Sequence, residues 1–223
     1  MSDIRNHHFV VRWYQERFLP SDGREPKCYH RIRAATLGLA LVSILPIPSL
    51  SQHAIPAGRI VRGTLSFDGH ATLGDFVGST DSVTGEMTGG PDAAAVRGWV
   101  EGRVASLTSG NGSRDRDMRS SMEVGTYPVM RFDLDSATAT TATASDSLVV
   151  MLHGRLTVHG VTRDVALPGR VWSSGDTVRV RSDFPLNLKD YHIGGLSKML
   201  GVLKMHEGIE VHVALVFGRP AVP

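Results

Sequence analysis

The chain has 223 residues, 41% of them hydrophobic and 21% charged, enough for one packed domain plus an extension and too apolar for a wholly disordered chain. Aromatic residues are sparse at 6% while glycine is frequent at 24 residues, a balance that favours turns and strands over a helical bundle. The net charge of +2 is uneven: residues 1–33 carry seven basic against four acidic side chains and residues 52–223 seventeen against eighteen, so the body of the chain has no basic surplus for phosphates and nucleic-acid binding is disfavoured.

Residues 34–45, AATLGLALVSIL, form an uncharged apolar run behind Arg31 and Arg33, and Pro46, Pro48 and the small-x-small triplet Ser49-Leu50-Ser51 follow it. That order predicts a secretory signal segment with cleavage near Ser51, and hence a periplasmic or secreted protein. A retained membrane anchor is the lesser reading, because a span needs about 20 apolar residues and the prolines interrupt any extension. The 33 residues ahead of the run are long for such a leader, and a start downstream of Met1 would account for them. The predicted division is therefore an extension over 1–51 and a single domain over 52–223. The single cysteine, Cys28, falls in the extension, which removes disulfides, thiolate metal sites and thiol catalysis from the domain.

From Ile60 onward the dominant hydrophobic period is two. Val100, Gly102, Val104 and Ser106 alternate with Glu101, Arg103 and Ala105, and Met130, Phe132 and Leu134 alternate with Arg131, Asp133 and Asp135. Leu148, Val150, Leu152, Leu156 and Val158 share one parity, as do Val178, Val180, Phe184, Leu186 and Leu188, and finally Ile209, Val211, Val213, Leu215 and Phe217. Such faces suit antiparallel strands that are wet on one side. Turn signals at Gly89-Gly90-Pro91, Ser109-Gly110-Asn111-Gly112, His159-Gly160 and Ser174-Gly175-Asp176 separate them. Many strands without long helices between them predict an all-β sandwich or barrel, and closure into a barrel removes open edges. Residues 115–122 read as a helical turn or two, and 136–145, SATATTATAS, as a hairpin tip or a plain strand extension. Within 194–203 the apolar Leu196, Met199, Leu200 and Leu203 fall at i, i+3, i+4 and i+7, which predicts an amphipathic helix packed across an open end of the sheet.

With these elements in place, the ordered set of motifs resembles the YceI-like family of polyisoprenoid-binding proteins. The matching pieces are Phe67-x-x-His70 with Leu73-Gly74 and Gly78, then Ser106-Leu107-x-Ser109-Gly110-Asn111, Arg114-Asp115 and Tyr127-Pro128-x-x-x-Phe132. Gly154-x-Leu156-Thr157-x-His159-Gly160-Val161-Thr162-Arg163 and Asp190-Tyr191-x-Ile193 complete it, over roughly 60–217. The chain departs from the family at 121–126, where Ser121-Met122-Glu123-Val124-Gly125-Thr126 replaces an aromatic-rich stretch. The resemblance implies a lipocalin-like antiparallel β-barrel of about eight strands with one or two short helices. It further implies non-enzymatic binding of a polyisoprenoid, isoprenoid quinone or fatty amide in the lumen, for transport, storage or sequestration outside the cytoplasm. No cofactor is implied beyond that lipid. The partners expected are an isoprenoid or other long-chain lipid and no nucleic acid; an encounter with a membrane surface and a homodimer are both compatible.

The lumen candidates are Phe67, Val100, Val104, Met130, Phe132, Leu152, Leu156, Phe184 and Leu186, with Met199, Leu200 and Leu203 as a lid; the plainer role for each is ordinary core. Gly98, Gly102 and Gly154 are expected to leave space in the lumen. Arg114 and Asp115 are read either as a polar contact for a head group or as an ion pair that locks the loop, and Arg163 as a turn-fixing residue. Beyond His53, six histidines lie in the domain, His70, His153, His159, His192, His206 and His212, without a spacing that would present two metal ligands from one strand or helix. No nucleophile-elbow, zinc-protease or phosphate-loop motif occurs. Asp183, Asp190, Tyr191 and His192 are the nearest thing to an acid–base cluster. The alternatives to a carrier are thus an enzyme acting on a lipid or quinone head group at the rim, and a structural β-module with a filled core.

Overall fold

The period-two segments become the staves of a closed barrel. A computed structural model describes residues 54–72, 74–143, 147–194, 197–198 and 203–219. Its strands are β1 (Gly58–Gly69), β2 (Phe76–Thr80), β3 (Val83–Thr88), β4 (Arg97–Arg103), β5 (Val129–Thr143), β6 (Ser147–Val158), β7 (Val161–Ser174), β8 (Thr177–Asn187), β9 (Ser197–Lys198), β10 (Leu203–Lys204) and β11 (Gly208–Gly218). The order β11-β8-β7-β6-β5-β4-β3-β1 closes through an antiparallel β1–β11 ladder, giving eight staves. Only Gly58 and Arg59 of β1 pair with β3, while Leu65 to Gly69 pair with β2, so β2 and β3 share one side of β1 in succession. The strand extension over 136–145 reaches Thr143 in β5.

Glycine is required at the β6–β7 turn. His159 and Gly160 have φ of 51° and 72°, the doubly left-handed pair that a two-residue hairpin demands. A Cβ on Gly160 would also lie 2.4 Å from the Tyr127 ring, so the turn and its packing exclude any side chain there.

Among the described residues one α-helix, α1 (Gly112–Ser121), covers most of the expected segment at 115–122. Asn111 caps it, its side-chain oxygen accepting from the backbone N–H groups of Ser113 and Arg114. Asp115 in the first turn and Arg119 in the last suit the helix dipole.

At 197–198 and 203–204 the chain is strand, where an amphipathic helix is predicted over 194–203. Lys198 pairs with Leu203 and Ser197 with Lys204 in an antiparallel ribbon. The segment is short and carries Gly194, Gly195 and Gly201, which disfavour helix nucleation. Met199 and Leu200 lie outside the described residues, as does the side chain of Leu203.

The β7–β8 ladder runs only from Arg170–Arg181 to Ser174–Thr177. Beyond it the Ser182 hydroxyl donates to the Pro168 carbonyl at 2.6 Å, and the strands part. The apolar side chains gather in two clusters. One holds Val104, Leu107, Met122, Leu156, Val158, Phe184, Leu188, Tyr191, Ile193 and Ile209; the other holds Ile55, Val83, Met87, Val96, Val178, Leu215 and Phe217.

Candidate functional site

Residues of both clusters face a common cavity of about 530 Å³, within the size range of small-molecule sites. Its wall is built from the inward parity of the strands, for example Leu65 and Phe67 of β1, Val100 of β4, Phe132 and Leu134 of β5, Val150 and Leu152 of β6, and Val211 and Val213 of β11. The exposed members of the lining are Thr72, Gly74 and Asn111, which locate the mouth where α1 meets the β1–β2 loop. Ile55, Val96 and Phe217 are buried at the opposite end and close the floor.

Phe67, Val100, Met130, Phe132, Leu152, Leu156, Phe184 and Leu186 all line this cavity. Val104 does not. Strand β4 ends at Arg103, and Val104 opens a 3₁₀ turn whose first N–H donates to the Pro128 carbonyl, leaving its side chain 0% exposed in the core. Alternation beyond Arg103 is coincidental, because the chain has already left the sheet. Gly98 and Gly102 face the cavity, but Gly154 does not: its Cβ would lie 2.1 Å from the Asp133 carbonyl oxygen. That glycine permits a close strand approach beside the β5 bulge at Leu134–Ser136.

The mouth carries a stack of three groups. Phe67 and Phe76 meet edge to face with ring centroids 6.0 Å apart, and the Arg114 guanidinium lies 4.2 Å from the Phe76 centroid. Gly78 makes room for this stack, since a Cβ there would sit 2.3 Å from the Phe67 ring. Arg114 and Asp115 do not pair with one another. Asp115 is buried and accepts from the Ser109 N–H at 2.8 Å, the Ser109 hydroxyl at 2.7 Å and the Thr108 hydroxyl at 2.9 Å. The Ser109 side chain foremost holds its carboxyl below the usual range. Asp115 thus fixes the loop, while Arg114 turns to the cavity. On a helix, neighbouring residues point about a quarter turn apart, which is why adjacency in sequence does not make them partners.

Arg163 sits on the inward parity of β7, opposite Leu156, and reaches across to donate from Nε to the Asp190 carbonyl at 2.7 Å. It braces the gap where β7 and β8 part, a longer-range role than turn-fixing.

Sequence reasoning passed over several lining residues. Met87, Met118, Met122 and Met205 join Met130 in the wall, and Met205 reaches it because its backbone bridges Ala71. Among the described residues five methionines, of eight in the chain, therefore face one cavity. Methionine is flexible and polarisable, so such a wall is compliant in shape.

The acid–base candidates are engaged separately. Asp183 contacts His212 at 2.7 Å on the outer wall; Tyr191 is buried, which pushes its phenol up to about 12; His192 is exposed, with φ of 54°. Among the described residues no group of three or more His, Cys, Asp and Glu side chains is arranged to hold a metal ion.

A family model described as YceI-like domain matches residues 61–217. Among solved structures, a polyisoprenoid binding domain from Saccharophagus degradans, implicated in plant cell wall breakdown, has a TM-score of 0.61 at 17% identity, covering 74% of this chain and 99% of that one. BcnA of Burkholderia cenocepacia gives 0.58 at 16% identity, covering 69% and 95%. A YCEI protein of Campylobacter jejuni gives 0.51 at 14% identity, covering 64% and 84%. At these identities the likeness to the solved structures is one of fold. No curated protein sequence matches the chain.

Proposed function

The chain belongs to the YceI-like domain family, and on that premise we propose that it is a non-enzymatic carrier that holds a long apolar lipid, a polyisoprenoid or isoprenoid quinone, inside its barrel. The observation that carries this reading is the apolar cavity of about 530 Å³ whose exposed lining lies at one end. The Saccharophagus domain of the same fold is described as polyisoprenoid binding, which supports the ligand class. Each buried methylene is worth about 0.8 kcal/mol, so one isoprene unit contributes roughly 3 kcal/mol before the cost of ordering the chain. Affinity then needs a long dry tunnel rather than polar chemistry along its length.

The tail lies along the barrel axis and the polar end rests at the mouth beside Asn111 and Arg114. The guanidinium stacked on Phe76 keeps donors free for a carbonyl, hydroxyl or acidic head group. A carrier role is supported by the scattered placement of Asp183, Tyr191 and His192. The apolar run at 34–45 supports export and a site of action outside the cytoplasm, for transport, storage or sequestration.

Native mass spectrometry with organic extraction, on protein purified from the exported fraction, tests this reading. A discrete co-purifying mass in the isoprenoid or quinone range is expected. Protein that is empty and also refuses added isoprenoids sinks it.

A further inference from the structure

On the outer wall formed by β7, β8, β11 and β1, the register sorts charge by height. Near the β7–β8 turn the outward residues are Arg170, Arg179, Arg181 and Arg62. Arg170 lies directly opposite Arg181; Arg179 is flanked by Trp172 and Val216, and Val216 is opposite Arg62. At the other end of the same strands the outward residues include Asp164, Asp183 and Asp68, and His212 sits between the last two.

All four arginines are exposed, and among the described residues none has a carboxylate within 4.0 Å. The acidic groups at this end are already engaged, Asp176 by Arg219 at 3.6 Å and Glu86 by Arg59 at 2.8 Å. Like charges placed directly opposite in a sheet destabilise it, so folding gives no reason for the Arg170–Arg181 pair. Beside this face Val61, the extra residue of the β1 bulge, is 59% exposed.

We propose that this wall is the surface by which the protein docks on a bilayer carrying anionic phospholipid head groups. Guanidinium forks match phosphate oxygens, and an interleaved tryptophan with a protruding valine suits the head-group layer. The arginines sit on β7, β8 and β1, a stretch of four adjacent strands about 15 Å across, on a convex wall. Such a surface meets a sheet of phosphates better than a single small anion, which would need a pocket. The proposal does not depend on what the lumen holds.

The test is co-sedimentation of the full chain with vesicles of phosphatidylcholine alone and of phosphatidylcholine mixed with phosphatidylglycerol, at low and high salt. The parent is expected on the anionic vesicles only, with binding that falls as salt rises. Arg170→Ser with Arg181→Ser should lower that partitioning roughly 25-fold, while Arg103→Ser with Arg155→Ser on other walls leaves it unchanged. The first pair should also unfold at the same or higher urea concentration, because it removes a like-charge contact. If that variant is poorly folded, Arg62→Ser with Arg179→Ser repeats the test. Equal binding to both vesicles, insensitive to salt, would assign membrane contact to the apolar run at 34–45 and overturn the proposal. So would a folded variant that binds as the parent does, or a parent that ignores both vesicles yet is held by soluble polyglutamate through these arginines.

Discussion

The Nε of Arg163 donates to the carbonyl oxygen of Asp190 at 2.7 Å, across the gap that opens once the β7–β8 ladder has ended at Arg170–Arg181. The guanidinium also lies 5.8 Å from the Tyr191 ring, in the turn that follows β8. A barrel whose strands part needs something else to hold its wall together there, and this contact does so beside the packed cluster of Phe184, Leu188 and Tyr191.

Arg163→Ala should therefore destabilise the barrel by about 1.5–3 kcal/mol, the range for a hydrogen bond from a charged donor. Urea denaturation measures it. Arg163→Lys should recover only part of the loss, because the flexible ammonium lacks the fixed fork. Equal stability of Ala and parent would remove the brace.

His212 is held between Asp183 on β8 and Asp68 on β1, at 2.7 Å and 3.3 Å, and chiefly the Asp183 hydrogen bond raises its pKa above the ordinary value. A group raised on folding stabilises the fold fully below its unfolded pKa and loses that contribution as pH rises through the folded one. The imidazole is 37% exposed, so solvent screening keeps the effect under about 1 kcal/mol. His212→Gln should flatten the pH dependence of stability just above the normal histidine range, and proton NMR of the ring should show the upward shift.

Asp115 has the opposite sign. Its carboxyl is held low by Ser109, so its contribution is present above the unfolded pKa and is lost as pH falls through the folded one. Asp115→Asn should remove that acid dependence and loosen the loop before α1. Amide exchange of 108–115 is the readout, and unchanged protection would show that the loop holds without it.

A bulky residue halfway along the tunnel separates a filled core from a used lumen. Leu152→Trp should cost roughly 1–3 kcal/mol from overpacking if the interior is occupied by its own side chains, and little if it is hollow. In the hollow case the binding of a long isoprenoid should fall tenfold or more, as read by fluorescence displacement. Arg114→Ala should weaken lipids with an acidic or carbonyl head a few-fold and leave a bare hydrocarbon unaffected.

Strand identity was legible because one face of each strand is buried, which imposes a period of two on the residues that line it. Val178, Phe184 and Leu186 could be assigned to the interior from that pattern alone. Val104 could not be told from them, because parity continues for a residue or two after the backbone has turned, and only the Pro128 carbonyl shows where β4 stops. The stripe at 196–203 was ambiguous for a related reason: a 3.6 period over eight residues is too short to distinguish a helix from the ribbon paired at 197–198 and 203–204 when a glycine interrupts it. Arg114 and Asp115 parted because their partners, Phe76 and Ser109, come from different directions. Closure through β1 and β11 pairs Ile60 with Phe217, a separation that no local pattern encodes.

The five methionines in the cavity wall tie occupancy to oxidation. Conversion of a thioether to its sulfoxide replaces an apolar, compliant surface with a polar and chiral one, while leaving the backbone ladder untouched. Mild peroxide should therefore empty the barrel without unfolding it, seen as lipid release with an unchanged strand signal in circular dichroism. Methionine sulfoxide reductase should restore binding, because each lesion is reversible. On the proposed carrier reading, oxidative conditions release the lipid before the fold is lost.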